Sequence, residues 1–301
     1  MPRLPITKTP KPYVGGAFIR SESGRTFPLQ DAAGNFVANM PQCTRKDLRN
    51  AVEAAAKAGP GWAKRTAYNR GQILYRLGEM LEARRQEMAD ALLLGAGSQK
   101  PTDGGRIRPR TKASALREVD ATTDRVIYYA GWADKYEQVL GNVNPVASPH
   151  FNFTVTEPMG VVGVIAPDAP ALLGLVSLFA PVIVSGNTVV ALAAEAAPYP
   201  AILLGEMLAT SDLPGGVVNL LTGYRKELVP TFATHTHLRA ISAAASADER
   251  KALRLGAAES IKRVRFAEAA GEGDWFAETA QSVYAIRDFL EFKTTWHPIG
   301  A

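Results

Sequence analysis

Cysteine is almost absent from this sequence. The single one, Cys43, lies near the N-terminus, which excludes an internal disulfide framework and suits a reducing compartment, so the expected location is the cytoplasm. Neither a P-loop nor a Gly-x-Gly-x-x-Gly fingerprint is present, so neither common glycine-rich cradle marks a phosphate site. Long apolar runs are missing too. The most apolar stretch, Leu172–Val184, is interrupted by Pro181 and is too short to span a bilayer. The opening Met1-Pro2-Arg3-Leu4-Pro5 lacks the apolar core of a signal peptide. No membrane contact is expected. Charge of neither sign dominates: 34 Lys and Arg against 29 Asp and Glu give +5, which permits anionic partners without demanding them.

What is present suits one large globular domain or two ordinary ones. The chain has 301 residues, 47% hydrophobic and 21% charged, enough for a sizeable core. Tyr13–Asn39 carries turn signals at Gly15-Gly16 and Gly34-Asn35, and predicts short antiparallel strands. Thr44 followed by Asp47 forms a capping box that opens a helix over Arg45–Ala58. Apolar spacing predicts one helix over Asn69–Leu93 and another from Ala115 to Gln138. Between them, residues 95–114 form a flexible basic linker with Lys100, Arg106, Arg108, Arg110 and Lys112. The linker lacks interleaved aromatics, so a solvated loop is preferred over a nucleic-acid grip and no nucleic-acid partner is expected.

From Gly160 the pattern changes. Gly160–Ala166 is a continuous apolar run, as a strand covered on both faces requires. Then follow Leu172–Val184 (helix), Thr188–Leu192 (strand), Pro198–Ala209 (helix), Val217–Thr222 (strand), Arg225–Ala233 (helix) and Arg239–Ala243 (strand). Glu249–Gly256 predicts a further helix and Arg263–Phe266 a further strand. This alternation predicts an α/β fold with a parallel sheet of right-handed crossovers. Phe151–Thr156 and Tyr284–Trp296 read as half-buried strands.

Three segments carry a resemblance. Glu157-Pro158-Met159-Gly160-Val161-Val162-Gly163-Val164-Ile165-Ala166-Pro167, Ser185-Gly186-Asn187-Thr188-Val189-Val190 and Leu213-Pro214-Gly215-Gly216-Val217-Val218-Asn219-Leu220-Leu221-Thr222-Gly223 stand in order along the chain. They resemble the first three strands of the aldehyde dehydrogenase cofactor domain, over an organisation spanning roughly residues 13–271. The sequence is similar above all to the non-catalytic second half of the family-16 enzymes, which shares a tail like Trp296-His297-Pro298-Ile299-Gly300. The resemblance implies a Rossmann-like parallel sheet flanked by helices, made from residues 1–138 and 159–271. It also implies an oligomerisation β-hairpin, made from 139–158 and 284–301, and an absent catalytic domain.

The departures from the family pattern set the functional expectations. Where active members carry Pro-Trp-Asn, here Pro167 is followed by Asp168-Ala169; a carboxylate there would repel a developing oxyanion. The family's adenosine-gripping Lys and Glu correspond to Leu192 and Glu195, so only Glu195 remains as a residual cofactor-binding residue. The small-residue turn after the fourth strand becomes Ile241-Ser242-Ala243-Ala244 and loses its glycine. Glu268 stands at the general-base position among poorly matching neighbours, and no cysteine follows it. The resemblance with these losses implies no catalytic residues, no cofactor beyond residual NAD binding, and a chain that is not an enzyme.

The leading expectation is a structural or regulatory subunit of an active aldehyde dehydrogenase. It would pair with that partner, or with itself, through the hairpin (Val143, Val146, Phe151, Phe153, Val155) and the C-terminal strand (Ile286, Phe289, Leu290, Phe292). The alternatives are a nucleotide or small-molecule binder using the residual NAD cleft, and an enzyme of altered chemistry using Glu268 or Asp168. Cys43 reads as an inert thiol on or near a surface loop. His235-Thr236-His237 reads as a solvated turn, not as a metal site.

Overall fold

A computed structural model describes residues 8–31, 33–94, 110–267 and 274–300. The chain starts with β1 (Tyr13–Val14) and β2 (Ala17–Phe18), joined by a turn in which Gly15 and Gly16 take φ of 63° and 86°. β3 (Thr26–Gln30) and β4 (Phe36–Pro41) form a separate antiparallel pair. The predicted capping box opens α1 (Arg45–Ala63), with the Thr44 amide donating to Asp47 Oδ2 at 2.7 Å. The helix outruns its predicted end at Ala58 because Trp62 rewards the last turn: its ring is buried and its Nε1 donates to the Ile183 carbonyl at 2.8 Å.

The single helix predicted over Asn69–Leu93 is two, α2 (Ala67–Ala83) and α3 (Arg85–Leu94). Arg84 breaks them and fastens the corner by pairing with Glu87 at 2.7 Å and Glu206 at 2.9 Å. α4 (Lys112–Trp132) begins inside the predicted linker, where Thr111 caps it; residues 95–109 lie outside the described residues. Arg110 pairs with the buried Glu118, and Lys112 with Asp90. α5 (Tyr136–Leu140), β5 (Asn142–Asn144) and β6 (His150–Pro158) lead into the alternating region.

That region is β7 (Val161–Ile165), α6 (Ala171–Val184), β8 (Thr188–Leu192), α7 (Tyr199–Ala209), β9 (Val218–Leu221), α8 (Arg225–Thr234), β10 (Leu238–Ala243), α9 (Ala247–Ala258) and β11 (Arg263–Phe266). The seven-stranded sheet has the order β11-β10-β7-β8-β9-β1-β2. The first five strands of that order are parallel, while β1 joins β9 and β2 joins β1 antiparallel. Every residue of β7, β8, β9 and α6 is buried, which explains why these segments are almost wholly apolar, with Ser177, Thr188 and Asn219 as the polar exceptions. The α/β architecture expected from the sequence is therefore present, with an antiparallel margin added.

The C-terminal region departs from expectation. Residues 283–287 are a short helix, α10 (Val283–Arg287), and the strand β12 occupies only Leu290–Pro298. Ile286, Phe289 and Leu290, expected on the pairing strand, are buried in the main core. Asn187 ties this anchor to the sheet. Its Nδ2 donates to the Phe289 carbonyl at 2.8 Å and its Oδ1 accepts the Gly160 amide at 2.8 Å. Beyond the anchor, β12 pairs antiparallel with the whole of β6, in a three-stranded sheet of order β12-β6-β5.

Candidate functional site

The order of the parallel strands fixes where a ligand crevice should lie. The chain leaves β7 toward β8 and β9, then returns across β7 to lay down β10 on its other side. The crevice of an open α/β sheet forms outside the carboxyl ends of its strands at such a reversal. Here the reversal lies between β7, which ends before Ala166, and β10, which ends before Ala244.

One side chain spans that point. Arg225, the first residue of α8, is 5% exposed. Its Nη1 donates to the Ala166 carbonyl at 2.7 Å and its Nη2 to the Ala244 carbonyl at 2.7 Å. Its Nε and Nη2 also hold the Glu249 carboxylate at 2.8 Å and 2.9 Å, the two-pronged geometry that guanidinium favours. Burial alone disfavours the charge on Arg225, but the hydrogen bonds and charge of Glu249 outweigh it and raise the guanidinium pKa. For Glu249, burial pulls upward and Arg225 pulls its carboxyl below the usual range.

Glu195, the sequence candidate for cofactor binding, lies at this site but faces inward. Its Oε2 accepts the Arg225 amide at 2.6 Å, so it caps the start of α8. Burial pushes its carboxyl upward, the Arg225 amide opposes that, and nearby Asp168 adds repulsion. Asp168 in turn accepts the amides of Glu195 at 2.9 Å and Ala196 at 3.1 Å. Its carboxylate thus closes the loop after β8. Leu192, Ala193 and Ala194 are buried beneath this layer.

The starts of α6 and α9, the helices that follow β7 and β10, are likewise capped from within. Glu118 Oε1 accepts the amides of Leu172 and Leu173 at 2.8 Å and 3.2 Å, and Ser246 accepts the Glu249 amide at the start of α9. Helix N-termini are natural anion sites. At each of these three, a protein oxygen already takes the anion's place. As the crevice stands, the residues do not fit a pyrophosphate: it would meet Asp168, Glu195 and Glu249, and an arginine that already makes four hydrogen bonds.

The remaining candidates lie elsewhere. Cys43 is buried rather than near the surface. Its amide donates to Thr222 at 2.9 Å, and burial pushes its thiol up to about 12. The expectation is that Ellman's reagent labels the native protein at least roughly ten times more slowly than the unfolded chain at pH 8. Labelling at equal rates would contradict the burial. The unfolded thiol ionises near 9 while the folded one holds its proton to about 12, so Cys43 costs stability progressively as pH rises between those values.

His235 and His237 stack edge to face at 6.0 Å, and burial lowers the His235 pKa. Among the described residues no group of three or more His, Cys, Asp or Glu side chains is placed to hold a metal. Glu268 lies outside the described residues. No described helix is long and apolar enough to cross a membrane. Arg225 is the residue that sequence reasoning missed. A cation at a helix start opposes the helix dipole, and that conflict was the available signal.

Comparison with known proteins places this geometry in a family. Residues 18–276 match the model of the Aldehyde dehydrogenase family. Retinal dehydrogenase 2 of Mus musculus is 33% identical over 268 residues, covering 87% of this chain and 49% of that protein. A putative aldehyde dehydrogenase, DhaS, of Bacillus subtilis is 31% identical over 260 residues, covering 85% and 50%. Among solved structures, a point mutant of an aldehyde dehydrogenase from Bacillus cereus superposes with a TM-score of 0.78 at 27% identity, covering 86% of this chain and 50% of that one. The chain thus spans about half the length of the curated relatives it matches.

These matches correct one expectation. The sequence reading implies a chain that is not an enzyme, but the relatives are named as aldehyde dehydrogenases, and the family is one of enzymes. That expectation leans on an absent catalytic domain and on the lack of a cysteine after Glu268, which carry no weight in a chain covering half of its relatives. The order of strands and the family match agree, and this chain belongs to the aldehyde dehydrogenase family.

Proposed function

We propose that this chain serves as an assembly-competent subunit of the aldehyde dehydrogenase family, with a structural or regulatory role, joining a family partner or a second copy of itself through the sheet of β5, β6 and β12. The single observation that carries this reading is β12. It is a nine-residue edge strand, exposed from Glu291 to Pro298, and no described strand pairs with its outer side. An exposed edge of that length presents a row of free backbone donors and acceptors, the usual template for strand addition.

The faces support it. The strand register puts Val143, Phe151, Phe153 and Val155 on one face, and Phe292 and Trp296 on the other. Trp296 is 57% exposed, and large aromatics of this kind supply anchors at interfaces.

Light scattering of the purified chain, alone and mixed with a full-length aldehyde dehydrogenase from the same source, tests the proposal. The expected result is a species of fixed multiple mass. The paired substitution Phe292→Lys and Trp296→Lys is expected to weaken association at least roughly tenfold, about 1.4 kcal/mol, without lowering the melting temperature. A monomer at every concentration, in both samples, defeats the reading.

A second reading, dinucleotide binding, has its own support. The chain superposes with a TM-score of 0.77 at 26% identity on a structure described as the NAD+ complex of aldehyde dehydrogenase from Bacillus cereus. Calorimetry with NAD tests it, and absence of heat from both the wild type and the variant described next rejects it.

A further inference from the structure

We infer that Arg225 is a built-in competitor for the ligand crevice, so that any dinucleotide must displace this side chain to bind. The inference rests on the dinucleotide-binding reading and adds the control of that site. Three observations meet here. First, the guanidinium lies across the reversal of strand order, holding the carbonyls of Ala166 and Ala244, one residue past the ends of β7 and β10. Second, its amide and side chain are fixed by two carboxylates from different parts of the chain, Glu195 in the loop after β8 and Glu249 in the first turn of α9. Third, the first turn of α8, which follows Gly223 at φ 153°, is capped by Glu195 at the place where a ligand phosphate would receive the amide.

The arrangement imitates a loaded site. Glu195 stands where an anion would sit on the helix dipole, and Arg225 neutralises the carboxylates and carbonyls around it. A pyrophosphate entering the crevice must break four arginine hydrogen bonds and approach Asp168. Its affinity is therefore reduced by the fraction of time the side chain spends in place. Removing the cation alone strands Glu249. Removing both members of the pair empties the crevice without leaving that charge unpaired.

The test is calorimetric titration of NAD into the wild type and into Arg225→Gly/Glu249→Gln, with thermal melts to show that both are folded. The expected result is a dissociation constant at least roughly tenfold lower for the double variant. If the double variant does not fold, Arg225→Lys takes its place. Lysine keeps the charge but cannot span two carbonyls and a carboxylate at once, and a severalfold gain is expected. Measurable binding that differs less than about threefold between wild type and variant overturns the competitor role while leaving dinucleotide binding standing. Absence of heat from both proteins overturns the competitor role together with the reading it rests on.

Discussion

Arg225→Met is expected to lower the unfolding free energy by about 3–5 kcal/mol, because it leaves a buried carboxylate without its cation. The side chain of Arg225 is 5% exposed and that of Glu249 20%, so water replaces little of the lost interaction. The double variant Arg225→Met/Glu249→Gln should recover a large part of the loss, since neither charge is then stranded. Urea melts of the wild type, both single variants and the double variant measure the coupling. Additive losses would show that the pair does not act as a unit.

The pH dependence has a definite sign. Glu249 has its carboxyl depressed in the folded protein, so its contribution is present above the unfolded value near 4.3 and is lost as pH falls through the folded value. Glu195 is raised, so its ionised form opposes folding at neutral pH and the penalty is relieved on acidification. In Arg225→Met the carboxylates lose their cation. The gap between wild type and variant is therefore expected to be wide at pH 7 and to narrow at pH 4.

Phe289→Ala is expected to cost about 3–5 kcal/mol as well, the range for emptying a buried aromatic site. The ring is fully buried, and its backbone carbonyl is the acceptor of Asn187. The same residue stands one position before β12. The loss should therefore appear twice, as a lower urea midpoint and as weaker assembly through the projecting sheet. Phe289→Leu retains most of the volume and should cost less than about 1.5 kcal/mol. Equal destabilisation by both substitutions would argue against packing as the cause.

These two residues also mark where the sequence was legible and where it was not. Residues 161–165 and 189–192 are buried at every position, and an unbroken apolar run is the mark that such a strand leaves. The α2–α3 corner at Arg84 left no mark, because it contains neither glycine nor proline and is held by ion pairs to Glu87 and Glu206. Phe289 and Leu290 misled for a related reason. Apolar spacing says that a residue is buried, but not whether a partner chain or the chain's own core buries it.

The candidate crevice was legible in outline only. Asp168 and Leu192, which depart from the family pattern, and Glu195, which keeps it, lie around the carboxyl ends of the strands. What fills the space between them was not. Arg225 reaches Ala166 and Ala244, which are 59 and 19 residues away in sequence, and no local pattern encodes contacts of that range.

The register of β6 against β12 has a consequence for the order of events during synthesis. Thr154 and Thr294 meet across that ladder although 140 residues separate them. At roughly 5–20 residues per second, a ribosome needs on the order of 10 s to deliver the second strand after the first. For that interval Phe151, Phe153 and Val155 belong to a strand without its nine-residue companion. Closing so long a loop is slow compared with forming local helices. The nascent chain therefore offers a temporary edge on β6 before it owns the permanent one on β12, and a partner or chaperone that arrives early meets a different surface from one that arrives late.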